Sequence, residues 1–233
     1  MWIWIPTIRW QSVMAFSDYK SLAQVQEEFH IKYQEADFVE PLLIKPSIAF
    51  YAELKFNLTS MDAFSSEAAR CELVIFPMVR EVYKRYFTEA ALWIQKSFSA
   101  DAKLTGTPDY MLSRKSDLGK NVLGLPLLLV VEAKRNDFEQ GWGQCLAELI
   151  ACDKLNQHSR PVYGIVTDGK LWEFGQLEHQ VFTKNLASYI ITDIDPLFCI
   201  LNALFHLATQ NLTPQNLTPQ NLTLSLDAHP DSE

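Results

Sequence analysis

A run of seven apolar residues, Leu125-Pro126-Leu127-Leu128-Leu129-Val130-Val131, stops abruptly at Glu132-Ala133-Lys134-Arg135. Continuous apolarity of this length reads as a strand buried on both faces. Side chains alternate along a strand, so Glu132 and Lys134 fall on one face at its end. A carboxylate and an ammonium carried out of water must be solvated by something else. The compact solution is to pair them with each other and with an ion. Upstream, Gly106-Thr107-Pro108-Asp109-Tyr110-Met111-Leu112 reads as a short strand that brings a second carboxylate, Asp109, beside the first. The predicted centre therefore holds two acids and one lysine.

The spacing of these groups resembles the PD-(D/E)XK nuclease superfamily, with Pro108-Asp109 as the first half-motif and Glu132-Ala133-Lys134 as the second. The resemblance spans residues 66 to 177 and is nearest to the nuclease-like domains of type I restriction-enzyme motor subunits and of archaeal Holliday-junction resolvases. It implies an α/β fold with a mixed central sheet, an αβββαβ restriction-endonuclease-like core flanked by helices. It also implies a Mg²⁺- or Mn²⁺-dependent endonuclease acting on DNA. Asp109 and Glu132 would be metal ligands, with the backbone carbonyl of Ala133 as a further one, and Lys134 would orient the attacking water or offset transition-state charge. A homodimer is compatible with this resemblance. The competing reading keeps the fold as a catalytically silent module that binds nucleic acid or a protein partner. The blandest reading leaves Glu132 and Lys134 as surface charges, with Asp109 capping a turn.

Two helices are expected to complete the centre. Ser65-Ser66-Glu67 opens one that runs to about Phe87, with Glu72, Ile75, Val79, Val82 and Tyr86 at steps of three and four, so Glu72 is expected to face inward. In the family the first core helix often adds a carboxylate to the metal site; Glu72 is the first candidate and Glu67 the second. Either acid could instead pair with Arg70 or Arg80. Pro77, inside the pattern, should kink the helix or shift its register. The second helix starts at Asp137, whose capping box with Gln140 predicts a helix to about Leu155. Gly141 and Gly143 cost about 1 kcal/mol each in a helix, which implies close approach of another segment. Gln144 matches the Gln that the family often carries on this helix. The alternative is an exposed pair with Glu148, for which no function is expected.

The rest is read as scaffold. Residues 1–13 are expected to be an upstream extension ahead of Met14, and 14–65 an N-terminal helix capped by Ser17 or Asp18 followed by an extended stretch. Pro41 and Pro46 suggest edge strands or extended packing between 38 and 58. Residues 91–100 read as one strand, and the turn-rich Ser116–Asn121 loop is expected over the mouth of the site. Asp168-Gly169-Lys170 joins two closing strands, and Asp195-Pro196 starts a last helix, so the core extends over 66–208. The Gln-Asn-Leu-Thr-Pro repeats make 209–233 a predicted disordered tail.

A net charge of −8 argues mildly against tight non-specific nucleic-acid binding, although basic residues gathered on one face would still serve. No apolar run approaches the roughly 20 residues that span a bilayer. The four cysteines show no metal-ligand spacing and read as reduced core thiols of a cytoplasmic protein. No P-loop, G-x-G-x-x-G or G-x-S-x-G occurs.

Overall fold

A computed structural model describes residues 14–210 and 212; the expected extension at 1–13 and nearly all of the repeat tail lie outside the described residues. A 3₁₀ turn at Phe16–Asp18 leads to α1 (Leu22–Phe29) and β1 (Lys32–Glu35), then α2 (Ile48–Ser60) and α3 (Glu67–Arg70). A π-helical turn, Cys71–Ile75, joins α3 to α4 (Phe76–Tyr83). Next come β2 (Ala90–Ile94), β3 (Phe98–Asp101), β4 (Leu104–Gly106), β5 (Tyr110–Arg114), β6 (Leu127–Ala133) and α5 (Phe138–Leu155). The chain closes with β7 (Val162–Thr167), β8 (Leu171–Glu178), β9 (Val181–Lys184), β10 (Tyr189–Ile190) and α6 (Ile194–Thr209).

Eight strands form one mixed sheet in the order β1-β9-β8-β7-β6-β5-β2, with β10 also on β8, while β3 and β4 make a separate small hairpin. The protein is thus α/β, a large mixed sheet flanked by helices. Every residue of β6 is buried, as its apolar run predicts. It pairs antiparallel with β5 and parallel with β7, which makes it a central strand. One face of the sheet packs against α2, α4 and α6 through residues such as Val131, Ile165, Phe174 and Leu201. The other packs against α5 through Val130, Val166, Leu146 and Leu149, and α5 is covered in turn by the segment carrying Phe16, Tyr19 and Val25. Helix α5 therefore runs inside the protein, with Gly141 to Asp153 buried without a break. A Cβ on Gly143 would lie 2.7 Å from the backbone nitrogen of Ser21, so the glycine lets the start of α1 sit directly on α5.

Several local expectations need correction. Ser21 caps α1, accepting from the Gln24 amide, because the chain makes a separate 3₁₀ turn over Ser17 and Asp18. Residues 48–60 form a helix instead of edge strands: Pro46 precedes the Ser47 cap, and Phe50, Leu54 and Asn57 then fall on one buried face. Residues 91–100 break into β2 and β3 at Gln95, whose φ is 46°. The Ser116–Asn121 loop joins the end of β5 to the start of β6. In an antiparallel pair that is the end of the sheet opposite to Asp109 and Glu132, so the loop does not cover the site.

Pro77 does mark a register shift, and its chemistry explains the form. Lacking an amide hydrogen, it cannot donate to the carbonyl four residues back, at Leu73. That carbonyl accepts instead from the Asn57 side chain at 2.9 Å, and Asn57 is buried. Replacing Asn57 with Ala should strand the carbonyl and cost roughly 1–3 kcal/mol, the usual penalty for an unsatisfied buried polar group. Denaturant melts of wild type and Asn57→Ala would measure it, and equal midpoints would refute the assignment.

Candidate functional site

The acids and the lysine predicted to meet do meet, at the ends of β5 and β6. Asp109 lies one residue before β5, and its Oδ2 accepts a 2.8 Å hydrogen bond from the amide of Ala133, the last residue of β6. Strand pairing stops at Tyr110–Val131, so this side-chain bond carries the connection one step further. Lys134 Nζ lies 2.7 Å from Glu132 Oε1. Glu132 is 2% exposed and Lys134 about a fifth, which sets the pair at the mouth of a buried centre. A Cβ on Gly141 would come within 3.1 Å of Lys134 Cγ, so the bare first turn of α5 leaves room for the lysine stem.

Alternation along β6 turns Glu132 toward α5, away from the helices that pack against Val131. Gln144 and Glu148 stand on that helix. Both are buried, Glu148 completely, because α5 is covered on its outer side as well. The exposed Gln144–Glu148 pair is therefore overturned. Glu148 was not expected to matter, yet the charges of Glu132, Asp109 and Lys134 all act on it. Among the described residues, four buried oxygens here have no hydrogen-bond partner: Glu132 Oε2, Gln144 Oε1 and both carboxylate oxygens of Glu148. The glycines at 141 and 143 were the available signal, since a helix closely approached on two sides has little face left for water.

Glu72 is also corrected. It is exposed, although Ile75, Val79 and Val82 keep the predicted buried stripe. The π-helical turn holds one residue more than an α-helical turn, so the face below Ile75 falls to Arg70 and Cys71 instead. Glu67, the second candidate, is the acid of this helix whose charge reaches Asp109, Glu132 and Lys134. Neither arginine neutralises it. Arg70 donates to the carbonyls of Asp168 and Phe64, and Arg80 pairs with Glu53.

Burial dominates the electrostatics. It raises the Asp109 carboxyl above its ordinary value, against the Ala133 amide and Lys134. Burial, reinforced by the Asp109 charge, pushes Glu132 up to about 8, and burial lifts Glu148 well above the carboxylate range. For Lys134, burial works against the ammonium, but the Glu132 carboxylate outweighs it and the net shift is upward. Two buried acids and the half-buried Asp109 thus face one ammonium, and the centre is short of positive charge.

The donors are all oxygens, the set that hard cations such as Mg²⁺ prefer. Among the described residues, no three His, Cys, Asp or Glu side chains are grouped closely enough to hold a metal ion by themselves. Mg²⁺ does not require this, because it is commonly held by one or two carboxylates with water and substrate phosphate completing the shell. The residues present fit such a cation, and the orphaned oxygen of Glu132 is the clearest sign. Ala133 lies between the two charged residues with its amide committed to Asp109.

No protein-family model matches this chain, and no curated protein is significantly similar to it. Among the described residues, no helix is long and apolar enough to cross a membrane.

Raised carboxyl pKa values mean that the folded state binds more protons than the unfolded chain. The stability these groups contribute is complete below their unfolded pKa near 4.5 and is lost as pH rises toward the folded value, about 8 for Glu132. Melting temperature in chelator should therefore fall from about pH 5 to about pH 9, and Glu148→Gln, which cannot ionise, should flatten the decline. An unchanged slope in Glu148→Gln would remove Glu148 as a source.

Proposed function

We propose that this chain is a nuclease of the PD-(D/E)XK type, hydrolysing phosphodiester bonds in DNA with Mg²⁺ or Mn²⁺. The observation that carries the reading is the meeting of Asp109, Glu132 and Lys134 at the ends of two adjacent strands. The order of elements supports it: helix α4, antiparallel strands β2, β5 and β6, helix α5, then β7 parallel to β6, which is an αβββαβ succession.

Asp109 and Glu132 would hold the cation, with the Ala133 carbonyl as a candidate third donor and Glu67 available from the exposed side. When bound, a divalent ion supplies Lewis-acid polarisation of the phosphoryl group and a more acidic water. Lys134 keeps its proton beside Glu132 and so presents a fixed positive charge to phosphate oxygens as negative charge builds on them. Glu132 arrives at the site partly protonated when no cation is present. Cation binding must displace that proton, so affinity for Mg²⁺ should rise with pH through about 8. Gln144 and Glu148 line the wall behind Glu132. They add acceptor oxygens where water is excluded.

Incubation of the full chain with plasmid and linear DNA should give cleavage that requires Mg²⁺ or Mn²⁺. Lys134→Ala and Asp109→Ala should each lower it by roughly 10²-fold or more while circular dichroism shows the fold retained. Activity indifferent to both changes would refute the site. DNA binding with no turnover in wild type would favour the silent module. Calorimetric titration of Mn²⁺ should give heat with wild type and none with Glu132→Ala; equal traces would leave the carboxylates without a cation.

A further inference from the structure

Among the described residues, β2 ends the main strand order of the sheet, and one side of its backbone has no strand neighbour. A cleft of about 300 Å³ runs beside it, lined by Tyr83, Leu92, Trp93, Lys115, Lys120 and Val122. Two lysines sit over aromatic rings here: Lys96 Nζ is 5.5 Å from the Trp93 ring centroid and Lys115 Nζ is 5.4 Å from that of Phe87. Phe87 is 54% exposed, a large ring offered to solvent at the turn that leads into β2. The acids along this edge are few. Asp117 stands 3.9 Å from Arg114, and Glu89, whose backbone carbonyl accepts from the Lys115 amide, is exposed and keeps its own charge. In a chain of net charge −8, this edge gathers cations.

The edge is also continuous with the candidate site. Gln95, next to Lys96, donates its amide to the carbonyl of Asp109 at 2.9 Å. From there β2 runs along β5, from Ile94 opposite Tyr110 to Ala90 opposite Arg114, a span of about 13 Å. A chain of phosphates leaving the acids of the site along this edge would pass Lys96 first, then Lys115 and Lys120.

We propose that the β2 edge is a binding groove for a single strand of nucleic acid, holding the segment adjacent to the scissile phosphate. Lysines spaced along a groove neutralise successive phosphates, and an exposed ring stacks a base without regard to sequence. Stacking on Phe87 needs an unpaired base, which selects a single strand over an intact duplex. A base arriving on that ring displaces the Lys115 ammonium toward the backbone phosphates. An acidic protein segment would satisfy the lysines and leave the exposed ring unused. The position of the groove relative to the chemistry rests on the nuclease reading; the binding itself does not.

The test is fluorescence anisotropy of a labelled oligothymidylate with the full chain, in chelator so that nothing is cut. Lys96→Ala/Lys115→Ala/Lys120→Ala should weaken binding and lower the slope of log affinity against log salt by about 2, near 0.7 for each lysine. Phe87→Ala should weaken binding at least about fivefold with the slope unchanged. Lys32→Ala, on β1 at the opposite end of the sheet from β2, is the control for a lysine off the groove and should leave the slope unchanged. If the triple variant binds with the affinity and salt slope of wild type, the groove is refuted even where Mg²⁺-dependent cleavage is observed. If wild type never cleaves but the slope falls as stated, the groove stands and the nuclease reading fails. Poly-glutamate bound as tightly as the oligonucleotide, and lost equally in both variants, would overturn nucleic acid in favour of an acidic protein.

Discussion

The hydrogen bond from the Ala133 amide to Asp109 holds the two halves of the candidate site together. Backbone pairing between β5 and β6 has ended one step earlier, so a side chain replaces the next rung of the ladder. This arrangement leaves one oxygen of Asp109 fixed by the protein and the other to serve the centre. It also fixes the strand end, and with it the directions in which Glu132 and Lys134 leave β6. An Asp placed one residue along would point to the other face of the sheet.

Around that bond the protein has gathered more carboxyl groups than its one ammonium can neutralise. Lys134 balances Glu132, while Asp109 and Glu148 face the same interior with protons as their recourse. Stable folds do not ordinarily leave carboxylate oxygens buried and unpaired, since each costs on the order of 1–3 kcal/mol or more. The orphaned oxygens of Glu132 and Glu148 are therefore costly points of this interior. The covering layer over α5 makes that cost hard to relieve. Because Gly141 to Asp153 are buried, Gln144 and Glu148 cannot turn out to water to escape it.

Much of this could be read from residue order, and the reasons for the failures are specific. The β6 run, the Glu132–Lys134 alternation, the Asp137 cap and the Asp168-Gly169 turn are local signals, and each took its predicted form. Glu148 and the helix at 48–60 were missed because burial there is decided by partners distant in the chain. Periodicity assigns a helix one wet face, and α5 has none. The position of the Ser116–Asn121 loop was a different error, since antiparallel pairing alone already sends that loop to the far end of the sheet. The small β3–β4 hairpin and β9 depend on pairings with no compact signature in their own residues.

The wide turn at Cys71–Ile75 has a consequence for how such a site can vary. One surplus residue, tolerated because Pro77 already forbids a regular ladder there and Asn57 takes up the spare carbonyl, rotates everything before it. Without that residue Glu72 would be carried around to the sheltered side and Glu67 would swing elsewhere. The choice of peripheral acid is thus governed by helical phase and not by which side chains are encoded, and an insertion or deletion of one codon would exchange them while the sheet behind stayed as it is.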